Sequence, residues 1–231
     1  MDAERLARVI GAVSAAGDPD PATYPARVCV AGVHLLGVDA AGLTLMTKSE
    51  LGAVWASDQL AETVEDLQFA LGEGPALDAH GLGRPALEPN LAEAGSRWPF
   101  FAPQAVELGI SAVFSYPLQI GVIRLGALNL FRKEPGWLSK GQLSDALVLA
   151  DVATQDIIDL QAEGSLHWPL SDRFAERARV HQATGMVAAQ IESDMANALA
   201  RIRGYAFANE LTIFEVAEEV IARRLRLTAQ P

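Results

Sequence analysis

Apolar positions along the chain recur at helical spacing through most of its length and alternate in two stretches. Leu6, Val9, Ile10 and Val13 fall on one face of a helix predicted over residues 2–16. Gly17-Asp18-Pro19-Asp20-Pro21 then reads as a turn or linker. A second helix is predicted from Tyr24 to Leu36, closed by Gly37. Gly42 to Thr47 and Gly52 to Ser57 read as a hairpin about Ser49-Glu50. Gln59 to Ala70 returns to helical spacing with Leu60, Val64, Leu67 and Phe69. In Leu71-Gly72-Glu73-Gly74-Pro75-Ala76-Leu77-Asp78-Ala79, two glycines and a proline impose a tight turn into a short helix. Pro85 to Glu88 is a short strand and Trp98 to Leu108 a helix. Ala112 to Gln119 and Val122 to Leu130 form a second hairpin across Ile120-Gly121. A long helix runs from Ser139 to about Glu163, with Leu143, Ala146, Leu147, Ala150, Ala153, Ile157 and Leu160 in phase.

Beyond Gly164 to Pro169, which reads as a hinge carrying Trp168 as a docking residue, the pattern becomes wholly helical. Arg173 to Gln190 carries Phe174, Ala178, Ala183 and Val187, followed by Ile191, interrupted by Gly185. Ser193 to Phe207 carries Met195, Ala198, Leu199, Ile202 and Ala206 on one face, and Thr212 to Leu225 carries Ile213, Val216, Ala217 and Val220. Ser193 and Thr212 are placed to cap the second and third of these helices, and Asn209 or Glu210 breaks between them. Helices this short must pack on one another or on a partner. The plan is α+β, an antiparallel sheet covered by helices followed by an all-α three-helix bundle. Its segments are an N-terminal helix and linker (1–23), a sensor-like domain (24–163), a hinge (164–170) and the helical tail (171–231).

Composition narrows the function. Half of the 231 residues are hydrophobic and the mean hydropathy is +0.17, enough to fill two cores. No apolar run reaches the roughly 18 residues of a membrane span. The acidic, amphipathic start lacks a secretory pattern. The single Cys29 excludes an internal disulfide framework and suits a reducing cytoplasm. The net charge of −11 argues against a general nucleic-acid binder. That charge sits entirely in the first 170 residues, because the tail holds eight arginines and eight acids. A neutral module rich in arginine suits selective rather than non-specific contact with phosphates and bases. A solvated helix surface would also account for it.

The tail resembles the ANTAR domain, a three-helix RNA-binding output module of bacterial transcription antiterminators. Val180-His181-Gln182-Ala183-Thr184-Gly185-Met186-Val187 carries the resemblance, followed by Ala198-Leu199, Ile202-Arg203, Tyr205-Ala206 and Leu211 to Val220 with Glu215-Val216-Ala217. Thr184 stands where many members carry lysine. Residues 24–160 resemble a GAF domain, most clearly at Gly72-Glu73-Gly74-Pro75, where Ala76 takes a position that relatives fill with cysteine. Neither the cyclic-nucleotide signature of GAF domains nor their bilin-attaching cysteine pattern is present.

The resemblance implies RNA contacts from Gln182, Thr184, Gly185, Arg203, Tyr205, Arg223 and Arg224. Arg203 and Tyr205 are expected on or near one side of their helix. RNA readers stack bases on aromatics and hold phosphates and base edges with arginine. Gly185 admits RNA backbone or a close helix neighbour, Tyr205 serves stacking or core, and the terminal arginines, Arg226 among them, hold phosphate or form a solvated end. In the GAF-like part, Trp55, Phe69, Trp98, Phe100, Phe114 and Tyr116 line a pocket for an unidentified small molecule or form plain core. His34 and His80 lack companions at metal-ligand spacing, so no metal or cofactor is implied. No nucleophile elbow, zinc motif or phosphate loop is present, so no enzyme is expected. The whole is expected to be a cytoplasmic, homodimeric antitermination regulator binding a stem-loop in nascent mRNA. The alternative is a ligand-sensing scaffold whose tail binds protein.

Overall fold

The computed structural model describes residues 2–18, 20, 23–47, 50–165 and 172–227. Trp168, Pro169 and Ser171, and parts of the turns at 17–21 and 48–50, lie outside the described residues. The chain divides into two compact units, Met1–Pro169 and Leu170–Pro231.

The first unit is built on a five-stranded antiparallel sheet. Its strands are β1 (Ala40–Thr47), β2 (Glu50–Ala56), β3 (Ala86–Glu88), β4 (Ala112–Ile120) and β5 (Ile123–Arg132), in the order β2-β1-β5-β4-β3. Among the described residues the accompanying α-helices are α1 (Ala3–Ala15), α2 (Tyr24–Leu36), α3 (Gln59–Leu71), α4 (Pro75–Leu82), α5 (Phe101–Glu107) and α6 (Lys140–Ala162). Side chains alternate across the sheet, and the register makes the two faces chemically different. One cross-strand row, Trp55–Leu43–Leu128–Tyr116, is apolar and belongs to a core shared with α1, α2 and α6. The row one residue away, Ala56–Gly42–Asn129–Ser115–Ala86, is small or polar and faces α3.

The helix ends follow local chemistry. α2, α3 and α4 each stop at a glycine in the left-handed region, Gly37, Gly72 and Gly83, at φ 59°, 67° and 64°. Ser139 and Gln142 form a capping box at the start of α6. The Gln142 amide also donates to the Leu36 carbonyl at 2.6 Å, which pins that start to the end of α2. α1 joins the same core through Val9 and Val13, and Arg5 and Arg8 bind Asp145 of α6 at 2.8 and 2.6 Å.

Several boundaries differ from the sequence reading in this unit; β1 and β2 each begin two residues earlier than expected, at Ala40 and Glu50. The helix expected from Trp98 begins at Phe101, because Glu73 accepts from the Phe100 and Phe101 amides, both at 2.6 Å, and so satisfies the first turn there. The β4–β5 turn falls at Gly121-Val122, one residue later than expected, with Gly121 at φ 57°.

The second unit holds α7 (Asp172–Ile191), α8 (Met195–Ala208) and α9 (Ile213–Ile221). Its core is Val180, Ala183, Thr184 and Val187 of α7, Ala198, Leu199, Ile202 and Ala206 of α8, and Ile213, Val216, Ala217 and Val220 of α9. Ala178 and Met195, expected inside, are exposed, whereas Arg177 is buried. Asp194, not Ser193, caps α8 by accepting from the Asn197 amide at 2.8 Å. Thr212 caps α9 as expected and forms a capping box with Glu215, which holds the Glu215 carboxyl below its usual range. α9 ends four residues early: Ala222 is its C-cap and Arg223 adopts φ 60°. Glu192 and Glu210 take the same left-handed geometry just beyond α7 and α8, at φ 53° and 56°.

Candidate functional site

The six aromatics considered for a pocket are not gathered around one. Trp55, Phe114 and Tyr116 lie in the core against α1, α2 and α6. Phe69 on α3 and Trp98 before α5 are buried elsewhere, Trp98 edge-on to Phe101 at 6.1 Å. Phe100 is 48% exposed. The three strand residues share the face that packs on α1, α2 and α6, whereas Phe69, Trp98 and Phe100 come from α3 and the segment before α5, outside that core.

Tyr116 carries a further consequence. Its hydroxyl is buried with no hydrogen-bond partner among the described residues, and burial pushes the phenol well above its usual range. Tyr116→Phe removes that desolvated group at almost constant volume. The variant is expected to equal or exceed the parent by about 1 kcal/mol in urea denaturation. A marked loss would show that the hydroxyl is satisfied.

The other sheet face holds a buried polar network that periodicity did not reveal. Glu65 of α3 is fully buried. Its Oε2 accepts from the Thr44 hydroxyl at 2.9 Å and from the Gln68 amide at 3.2 Å, and its Oε1 accepts from the Asn129 amide at 2.6 Å. Ser115 donates to Asn129 at 2.6 Å, and the Gln68 carbonyl oxygen accepts from the Ala76 amide at 2.9 Å, at the start of α4. Gly42 makes room: a Cβ there would overlap Glu65 Oε1 and sit 3.0 Å from its Cγ and Cδ. One signal was available, since Ala61, Val64, Glu65, Gln68 and Phe69 share the helical template that also fits Leu60 and Leu67.

The Gly-Glu-Gly-Pro turn gains a structural account from the same region. Gly72 caps α3, Glu73 reaches the start of α5, Gly74 at φ 139° passes against Gln68, and Pro75 opens α4. Farther along, Asp78 accepts from Arg97 at 2.9 Å and from the Trp98 indole at 3.2 Å.

His80, at the end of α4, is buried, and its Nδ1 has no partner among the described residues. Burial lowers its pKa, the nearby Arg124 guanidinium lowers it further, and a hydrogen bond with the Gly126 backbone opposes both. A histidine depressed in the fold binds fewer protons than the unfolded chain does. His80 therefore supports stability above its ordinary value of 6.5, and that support falls as the pH drops from there toward the folded value. Thermal melts are expected to lose stability over that window, with the loss reduced in His80→Asn. Equal acid sensitivity in the two proteins would assign the effect to other groups.

Cys29 is buried on α2, its thiol donating to the Trp55 carbonyl at 3.4 Å, and burial pushes its pKa up strongly. It is a core residue without thiolate character. Among the described residues no group of three His, Cys, Asp or Glu is placed to hold a metal ion, and no helix is long and apolar enough to cross a membrane.

This architecture recurs in solved structures. The chain is similar to the GAF domain of a phosphoenolpyruvate-protein phosphotransferase from Coxiella burnetii, at 18% identity and TM-score 0.53, over 71% of this chain and 96% of that one. It is also similar to the GAF domain of the Acinetobacter phosphoenolpyruvate-protein phosphotransferase, at 16% identity and TM-score 0.52, with the same coverage. The first unit has a GAF-like fold. A third likeness, at 12% identity and TM-score 0.50, is to free methionine-R-sulfoxide reductase from Neisseria meningitidis, over 69% of this chain and 90% of that one. Neither a protein-family model nor a curated protein matches the sequence.

In the helical unit, the residues expected to meet RNA are distributed unevenly. Gln182 is exposed on α7. Gly185 is half-buried, and a Cβ there would meet nothing within 4 Å, so close helix packing does not require this glycine. Thr184 is fully buried and spends its hydroxyl on the Val180 carbonyl at 2.7 Å. It belongs to the core and leaves the outward-facing set. Arg203 and Tyr205 are both half-buried. Their spacing of two residues turns them about 200° apart, so they flank the buried stripe of α8 on opposite sides rather than sharing one. Arg223 and Arg224 are exposed beyond α9. Glu219 accepts from Arg224 Nε and Nη2 at 2.9 and 2.8 Å, which raises the arginine's pKa.

Proposed function

We propose that this protein is a transcription antitermination regulator in which the GAF-like unit senses a signal and the three-helix unit binds a stem-loop in nascent mRNA. The observation carrying this reading is the sequence Val180–Val187 seated on α7. The residues that pack the bundle turn inward, while Gln182 stays exposed and the surface over Gly185 stays open. An uncovered glycine beside a hydrogen-bonding side chain permits close approach of a nucleic-acid backbone. Holding an antiterminator hairpin would stop the terminator from forming.

On the sensing side, the buried Glu65, Thr44, Asn129 and Ser115 are the polar groups that a small molecule entering between α3 and the sheet would engage. A signal acts here only by favouring one state of a cytoplasmic homodimer, or of its RNA face, over another. No cofactor or metal and no catalytic step enters this account.

Arg203→Ala and Tyr205→Ala test the reading in RNA binding by the full chain. Each is expected to weaken binding of a selected hairpin by about tenfold or more while far-ultraviolet circular dichroism stays that of the parent. Unchanged RNA affinity in both would instead favour a tail that binds protein.

A further inference from the structure

Two surface grooves lined by described residues of the helical unit differ in chemistry. One, of about 280 Å³, is lined by Glu176, Arg179, Thr212, Phe214, Glu215 and Glu218, and its Arg179 is held by Glu218 at 3.2 Å. Three carboxylates there repel a polyanion. The other, of about 420 Å³, lies at the α7–α8 corner and is lined by Ile191, Ser193, Asn197, Ala200 and Arg201. Its walls combine an aliphatic side chain and a methyl group with an amide, a hydroxyl and a guanidinium. This mixture suits a planar heteroaromatic ring with a hydrogen-bonding edge.

One polar group of the corner groove, the Asn197 amide, is partly uncommitted. The Asn197 amide donates once, to Asp194 Oδ2 at 3.2 Å. Among the described residues its carbonyl oxygen and second N–H make no hydrogen bond, so it keeps one acceptor and one donor on adjacent atoms. Asp194 is engaged at the same time as the cap of α8. Asn197, Arg201 and Tyr205 follow at i, i+4 and i+8 and so run along a single strip of α8. The strip leads from the groove to the aromatic residue already considered for base stacking.

We infer that the α7–α8 corner groove is a pocket for one unpaired nucleobase of the RNA loop. The inference rests on the RNA-binding reading above and deepens it. Ile191 and Ala200 enclose the ring faces, the Asn197 amide reads a base edge that offers a donor and an acceptor, and Arg201 lies where the adjoining phosphate or the ring plane passes. Selectivity for loop sequence resides here, whereas the outer arginines add affinity of lower specificity.

The test uses the full chain and a stem-loop chosen from a pool with six randomised loop positions. Dissociation constants are measured for the parent, Asn197→Ala and Ala200→Leu, against the chosen hairpin and six versions each lacking one loop base. Ala200→Leu fills the groove from an exposed helix position without removing a hydrogen bond, so it stands as a check should Asn197→Ala disturb the cap. About a tenfold loss in both variants is expected. Removal of a single loop base should reproduce that loss and add nothing further to it in the variants. Independent, additive losses, or variants that bind as the parent does, would overturn the pocket while leaving RNA binding intact. Failure of the parent to enrich any hairpin would overturn the underlying reading instead, and the pocket with it.

Discussion

In a Gly126→Ala variant, the unfolding transition followed by tryptophan fluorescence is expected to shift to much lower urea, or to vanish because the GAF-like unit no longer folds. Gly126 pairs with Leu45 of β1 and Leu118 of β4, so both its neighbours are central strands. A methyl group at this position would run into the Thr44 carbonyl oxygen and lie 2.9 Å from the Leu45 Cα. Those are backbone atoms within the sheet, with no flexible side chain to swing aside. Overpacking of this kind costs about 3 kcal/mol or more where the backbone must move, a large share of a domain's stability. Three of the four tryptophans, Trp55, Trp98 and Trp137, lie among the described residues of that unit, so the fluorescence reports chiefly on it. A midpoint within error of the parent's would contradict the observed approach of β1 to β5.

Glu65→Leu is expected to have the second largest effect, for a polar rather than a steric reason. The leucine fills similar space but accepts no hydrogen bond. The Thr44 hydroxyl and the Asn129 and Gln68 amides would each lose the carboxylate oxygen that now binds them. Each buried donor stranded in this way costs about 1–3 kcal/mol, so a total of about 3 kcal/mol or more is expected. Glu65→Gln keeps one acceptor oxygen and is expected to fall between the parent and Glu65→Leu. If leucine matched the parent in denaturant midpoint, the network would hold no net stability, and its retention would need a different account.

These two positions mark what periodicity conveys and what it conceals. Alternation in β4 and β5 and the 3.6-residue repeat of α6 were readable because large apolar residues occupy the inward positions, as Phe114, Tyr116, Leu128 and Leu130 do. The inner residues of α8 and α9 were readable for the same reason, apart from Met195 at the start of α8. Glu65 and Gln68 escaped because a polar residue in phase with an apolar stripe reads as solvent-facing unless its partners are known. Those partners, Thr44, Asn129 and Ser115, are 14 to 64 residues distant along the links that join them. The aromatic set failed differently: residue type suggested a shared pocket, but Phe69, Trp98 and Phe100 lie on α3 and before α5, outside the core that holds the strand residues Trp55, Phe114 and Tyr116. On α7, Thr184 was read through its family position, whereas its burial comes from packing beside Ala183 and Val187. The α7–α8 groove had no linear signature, because a helix corner brings Ile191 and Ser193 beside Asn197 and Arg201.

The fold and the proposed activity meet in the helical unit, whose small core is stabilised by caps as well as by packing. The capping box at Thr212 and the carboxylate of Asp194 fix where α9 and α8 begin, and those starts set which residues face outward. A shift of α8 by one residue would turn Arg203 toward the core and expose core methyl groups, since each step turns a helix by about 100°. On α8 and α9 the caps therefore help to decide which groups face outward.

The most direct measurement is a titration of the purified full chain against a stem-loop RNA with a six-nucleotide loop and its scrambled-loop counterpart at about 150 mM salt, where non-specific attraction is screened. Binding at least about tenfold tighter to the stem-loop than to its counterpart is the result this account predicts. Equal affinities across all loops, or no binding to any RNA, would contradict it.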